Sequence, residues 1–412
     1  DIRHVYDQGS PDETVAIERI NLTLEDGTAN ALLGPSGCGK TTLLQIISGL
    51  LQPTEGQILI DGEDVTDKPP EERDIAQVFQ FPVIYDSMDV YGNLAFPLRN
   101  GGVSENEIET RVQKIADLLE LNDILHSSPS NLGPELNQLV ALGRGIIRAD
   151  TSAILFDEPM TDVEPARKLT IRRRVKEAQQ EFGITALYVT HDQHEALTFA
   201  EQVAIMKDGN LVQYDTGENL YQSPVNTFIG HFIGSPGMNL LECGLSHENG
   251  HAHAHLGPHQ VPLDSALAPS LDPSWTDCQV GIRPSSVTVQ VADPHEDTGY
   301  LPATVDQVEM LGGFQIITAT LRQTDVEVKA RVAHDFAIDE DASVWLSFPP
   351  SDIRFFHDHE AVPAYVLSLP RLFLIGASPL HHETTSLVIS AAGPAPGFDQ
   401  CLHPAHAGDE LL

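Results

Sequence analysis

The sequence predicts an α/β chain, a parallel sheet carrying a helical insert, followed by a small all-β domain. Three observations lead there. Over residues 1–234, short apolar runs alternate with helical stretches, and each run gives way at once to polar or glycine-rich residues. Within that region, 83–145 breaks the rhythm with helical spacing, clearest at Ile108, Val112, Ile115, Leu118, Leu119 and Leu121. After Gly234 the texture turns to short β-type runs between Pro, Gly and Asp, a barrel-like pattern.

The elements follow in order. Ala31–Leu33, Ala153–Phe156 and Ala186–Val189 read as buried strands of one sheet, and residues just past the carboxyl ends of such strands converge on one crevice. Runs at 287–291, 316–320 and 344–348 read as strands of the second domain, spanning 235–358. The remainder, 359–412, is poor in acids, rich in Pro and Ala and without sustained period, and is expected to be a poorly ordered tail. The most apolar stretch, 361–380, holds Pro363, Pro370, Arg371 and Pro379, which argue against a membrane-spanning helix.

Composition narrows the function. The chain of 412 residues has 60 acidic and 23 basic side chains, a net charge of −37. Such a surface excludes nucleic acid as a partner, since phosphate neutralisation needs Lys and Arg, and disfavours adhesion to anionic lipid. Only seven of the basic residues are Lys, a pattern suited to concentrated salt, where screening weakens self-repulsion. Cys38, Cys243, Cys278 and Cys401 show no disulfide spacing and suggest a reducing compartment, the cytoplasm.

Gly34-Pro-Ser-Gly-Cys-Gly-Lys-Thr41 matches G-x-x-x-x-G-K-[ST] in full, directly after an apolar strand and before a helical run. That context makes the first domain a P-loop NTPase of the RecA-like type. Gly34, Ser36, Gly37, Cys38, Gly39 and Thr42 belong to a loop whose N–H groups wrap the phosphates of a nucleotide, ATP. Lys40 would reach the β- and γ-phosphates, and the Thr41 hydroxyl would ligate Mg²⁺. Asp157 and Glu158 end a buried strand as Leu-Phe-Asp-Glu-Pro; Asp157 would hold Mg²⁺ through water, and Glu158 would position the attacking water. His191 ends a further strand on the same side, in reach of a γ-phosphate. Gln80, closing Ala-Gln-Val-Phe-Gln, would ligate Mg²⁺ or the water.

These pieces together resemble the ATP-binding subunit of an ABC importer for sugars, polyols and glycerol phosphate. The resemblance spans about 1–358 and rests on 34–42, Val-Phe-Gln at 78–80, Ile-Leu-Phe-Asp-Glu-Pro at 154–159 and Val-Thr-His-Asp-Gln-His-Glu-Ala-Leu-Thr-Phe-Ala at 189–200. The linker at 221–243 and Val-Gly-Ile-Arg-Pro-Ser-Ser-Val at 280–287 add to it. It implies an OB-like C-terminal β-domain with a regulatory role, hydrolysis of ATP, two transmembrane permease subunits, an extracytoplasmic solute-binding protein and a place on the cytoplasmic membrane face. It also implies that Tyr6 stacks on adenine and that the insert receives loops of the permeases. Competing classes are a soluble ABC ATPase outside transport and a non-hydrolysing regulatory subunit; a single cassette weighs against the first, and intact Glu158 and His191 against the second.

Three positions depart from the family pattern. Where the family carries Leu-Ser-Gly-Gly-Gln, this chain reads Leu132-Gly-Pro-Glu-Leu136, which removes the Ser hydroxyl and sets Glu135 near the phosphate of a partner subunit. Glu164 stands where Asp is usual, and the segment after Gln80 begins with Phe-Pro-Val-Ile rather than polar residues. The degenerate signature beside an intact catalytic half predicts pairing with a second, non-identical ATPase. His251, His253, His255 and His259 alternate in an expected β-hairpin, where a solvated strand face is favoured over a metal site. Arg172-Arg173-Arg174 is expected on a solvated helix face.

Overall fold

Eight strands form the central sheet of the computed structural model, which describes residues 1–148, 151–161, 163–248, 250–294 and 299–363 and the backbone of 386–390. Their order is Ile2–Tyr6, Thr14–Ile20, Asn210–Asp215, Gln202–Lys207, Ala29–Leu33, Ala186–Thr190, Ala153–Asp157 and Ile75–Val78. The last five run parallel. The strand runs are continuously apolar because both faces are covered. Ala31, Leu33, Ile154, Phe156 and Tyr188 face the core shared with the helical insert and the helices Pro165–Phe182 and Gln193–Phe199, while Leu32, Leu155, Leu187 and Val189 face the helix Lys40–Ser48 through Leu43, Leu44 and Ile47.

The insert consists of the helices Val90–Asn100, Glu105–Leu119 and Pro134–Ile146. Leu121, expected on the second of these, lies beyond its end: Glu120 adopts a left-handed φ of 55° and closes the helix, although Leu121 stays buried. The Arg run departs from its expected solvated face. On the helix Pro165–Phe182 the buried stripe is Ile171, Arg172, Val175, Ala178 and Gln179, so Arg172 points inward. Arg173 lies outside and Arg174 is partly buried; they pair with Glu177 and Glu120.

A second sheet of the first domain runs Leu22–Glu25, Ser386–Ser390, Gln57–Ile60, Glu63–Asp64. The expected unstructured tail therefore contributes a strand, antiparallel to both neighbours, with Val388 opposite Thr23 and Leu59. The other tail residues beyond 363, and most of the apolar stretch 361–380, lie outside the described residues. Among the described residues no helix is long and apolar enough to cross a membrane.

The second domain has its own core between a six-stranded and a five-stranded antiparallel sheet. The three expected runs fall on Thr288–Gln290, Phe314–Leu321 and Ser343–Ser347. Its last strands, Arg354–His357 and Glu360–Ala361, carry the fold past the expected edge at 358. His251–Leu256 and His259–Pro262 form the histidine hairpin; Ala252, Ala254 and Leu256 turn to the core, leaving His251, His253 and His255 on the other face. Among the described residues no three His, Cys, Asp or Glu side chains are grouped to hold a metal.

Arg283 joins the domains. Its guanidinium donates to the carbonyls of Tyr221 (Nε 3.0 Å, Nη2 2.6 Å), Gly230 (2.7 Å) and Ile233 and lies 4.1 Å from the Tyr221 ring centroid. Those carbonyls end the helices Gly217–Gln222 and Thr227–Phe232, whose unpaired C-terminal acceptors a cation satisfies well. Burial draws the Arg283 pKa down to about 10, so the group is still a cation at neutral pH.

Candidate active site

The sheet brings the sequence motifs to one edge. Leu33 pairs with Thr190, Asp157 with Val189, and Val78 with Phe156. The loops that follow these four strands carry Gly34–Lys40, His191, Glu158 and Gln80, so residues up to 157 positions apart lie along one edge of the sheet.

The phosphate loop is built around glycine at two crowded points. A Cβ on Gly34 would stand 2.4 Å from the Met206 carbonyl oxygen, and one on Gly39, at φ +102°, 2.5 Å from that of Ala16. Gly37 also has positive φ but faces open space, beside exposed Ser36. Lys40 is buried and its Nζ donates to the carbonyls of Gly34 (2.9 Å) and Pro35 (3.0 Å). Among the described residues it has no carboxylate at ion-pair distance. A buried ammonium held by neutral groups, two carbonyls and a thiol, suits an anionic ligand. Cys38 packs behind it, Sγ 3.9 Å from Nζ, and burial pushes its thiol pKa up against the opposing pull of Lys40. Thr41 is exposed on the first helical turn. Tyr6 comes to the same turn, its hydroxyl 3.2 Å from Thr42 Oγ1, with its ring half open to solvent.

Asp157 ends its strand half-buried. Burial and the neighbouring Glu158 raise its pKa, and Lys40 opposes the shift. Two adjacent carboxylates partly withdrawn from water are the donor set a hard divalent cation relieves. Glu158 has φ +44°, unusual for a residue with a side chain, and its N–H is fixed to the Val189 carbonyl at 2.9 Å. Held in that turn, its Oε1 lies 3.1 Å from His191 Nδ1. Gln80 sits farther along, lining a narrow gap with Pro134, Gln138, Pro159 and Val163. It therefore stands between the turn after Glu158 and the start of the Pro134–Ile146 helix.

The degenerate signature occupies that helix start. Gly133 precedes the first turn, and Pro134 opens it without an N–H. Glu135, expected to present bare negative charge, is instead compensated: Arg167 Nη1 donates to both its oxygens, at 2.9 and 3.0 Å. The sequence reading missed Arg167, and it missed Lys168 and Glu195 beside the His191 turn. For Glu195 a signal existed: Asp192-x-x-Glu195 has capping-box spacing.

Beside the crevice, a groove of about 410 Å³ opens between the Ile75–Val78 strand and the insert, lined by Phe79, Val83, Tyr85, Phe96 and Arg144 among others. Phe79, Phe81, Val83 and Tyr85 are all exposed.

Comparison with known proteins agrees with this architecture. Residues 17–161 match the ABC transporter family and 280–356 the TOBE domain family. The chain is 37% identical over 347 residues to the osmoprotective compounds uptake ATP-binding protein GgtA of Synechocystis, covering 84% of this chain and 94% of that one. It is 35% identical over 347 residues to the sn-glycerol-3-phosphate import ATP-binding protein UgpC of Chromohalobacter salexigens (84% and 91%). With the trehalose/maltose import ATP-binding protein MalK of Thermococcus litoralis it shares 38% over 315 residues (74% and 84%).

Proposed function

The chain belongs to the ABC transporter family, among its import ATP-binding proteins, and from that premise we propose that it hydrolyses Mg-ATP at the crevice to drive uptake of a sugar, polyol or glycerol phosphate. The observation that carries this reading is the convergence of Lys40, Asp157, Glu158 and His191 past neighbouring strands.

In this reading the loop 34–42 cradles the phosphates, Lys40 exchanges its carbonyl partners for phosphate oxygens, and Tyr6 stacks on the base. Thr41, Asp157 and Gln80 would hold Mg²⁺, which when bound would supply charge neutralisation at the phosphates. Glu158 orients and polarises the attacking water, and His191 steadies both that carboxylate and the γ-phosphate. Phosphoryl transfer asks for placement and charge compensation more than covalent chemistry, and this edge of the sheet offers both.

Two permease subunits form the membrane part, and the groove at Phe79, Val83 and Tyr85 takes a loop from one of them. Its apolar rim is what the departure after Gln80 provides. The chain then sits on the cytoplasmic membrane face, and a solute-binding protein works on the far side. The second ATPase is non-identical. A homodimer would set Leu132–Leu136, with a proline at the helix start, opposite both nucleotides, and lost donors at a transition state cost on the order of 10²–10³ in rate each.

The test is Glu158→Gln in the complex purified with its permeases. Turnover should fall to background while ATP still binds; retained turnover would overturn the assignment.

A further inference from the structure

Glu195 is 4% exposed, and its carboxylate is held by three partners from two elements. Lys168 Nζ, on the Pro165–Phe182 helix, lies 3.0 Å from Oε1. Tyr188 and Thr190, on the Ala186–Thr190 strand, donate their hydroxyls to Oε2 at 3.1 and 3.0 Å. Thr190 Oγ1 in turn accepts the Asp192 N–H at 3.0 Å. The Asp192 carboxylate accepts the N–H groups of His194 (2.7 Å) and Glu195 itself (3.3 Å). Both residues flanking His191 are thus fixed through Glu195.

The other arm reaches the opposite side of the site. Lys168 is on the first turn of the helix that follows the Glu158–Glu164 segment, and Arg167, beside it, holds Glu135 at the signature helix. Glu195 therefore ties the backbone after Glu158 to the turn that carries His191, and those two side chains meet at 3.1 Å.

We propose that Glu195 is a positioning residue for ATP hydrolysis: clamped by Lys168, it sets the reach of His191 to Glu158 and makes that reach depend on the placement of the Pro165–Phe182 helix. A buried carboxylate is stable here because a cation and two hydroxyls satisfy it, and removing its charge leaves Lys168 half-buried without a counter-ion. Arg167 ties the helix start to the signature helix, so docking of the proposed second ATPase there is conveyed to the His191 turn. The inference rests on the reading of Glu158 and His191 as acting on ATP.

The test uses the full chain in complex with its co-expressed partner subunits. Glu195→Gln, which keeps the shape, should lower kcat by between about 10-fold and about 100-fold, the range for small misplacements, with the KM for ATP within about twofold of wild type. Lys168→Met should do the same, and Lys168→Arg should restore most of the rate; this pair keeps the proposal testable where Glu195→Gln does not fold. In a His191→Ala background, Glu195→Gln should produce no further loss. Unchanged kcat in folded Glu195→Gln, a parallel loss of ATP affinity, or an undiminished effect without His191 would each overturn the proposal. A His191→Ala variant with wild-type kcat would instead overturn the underlying role of His191, and the two failures are distinct.

Discussion

Arg167 and Glu135 form a forked contact, Nη1 at 2.9 and 3.0 Å from the two carboxylate oxygens. The pair joins the start of the signature helix to the start of the helix after Glu158. Arg167 is 61% exposed, so solvent screens the contact and it adds little to folding. Its consequence is local: it offsets the negative charge of Glu135 at the start of the Pro134–Ile146 helix.

That helix start bears on assembly. Purified alone, the chain should hydrolyse ATP at least about 100-fold more slowly than the complex with a second ATPase of intact signature, because its own signature lacks the usual donors. In the mixed complex, Glu158→Gln of this chain should remove most turnover. Steady-state phosphate release checks both, and brisk hydrolysis by the lone chain would refute the pairing.

Lys40→Ala should abolish stabilisation by nucleotide. At ATP one hundred times above its dissociation constant the wild type gains about 2.7 kcal/mol, which a thermal melt resolves as a shift of several degrees. The variant should show no shift while its melting without ATP stays close to wild type.

Asp157 gives a pH signature of known sign. Its folded pKa is raised by burial and by Glu158, so the folded state binds its proton more tightly than the unfolded state. Stability from this group is thus present at low pH and lost as pH rises from the unfolded carboxylate range through the raised folded value. Nucleotide-free Asp157→Asn should melt higher than wild type at pH 7, and the difference should close on acidification. Equal melting at both pH values would count against the shift.

Salt should act on the whole fold. With a net charge of −37, the native state repels itself, and a rise from low to molar KCl should increase its resistance to denaturant. A flat or falling midpoint would remove the reading of adaptation to concentrated salt.

The placement of the candidate site at one sheet edge was legible because its residues are tied to strand ends: an apolar run followed by Gly34, Asp157 or His191 states both an element and its limit. Side chains acting across elements were not legible in that way. Arg167 and Glu135 are 32 positions apart, and Lys168 and Glu195 are 27 apart, with no shared periodicity to announce a contact. Arg172 was misread for a related reason: a charged run looks solvated, yet helical phase alone aims one of its three members inward. Ser386–Ser390 escaped notice because five residues carry too little pattern to tell a strand from a loop.

That last strand sets an order on biosynthesis. It lies between Leu22–Glu25 and Gln57–Ile60, so the first domain's smaller sheet is closed by residues made some 330 positions after its own strands. At roughly 5–20 residues per second, a ribosome needs on the order of half a minute to supply them. Throughout that interval two backbone edges of the nascent chain face each other across an empty lane, open to any extended segment, including one from a neighbouring polysome product.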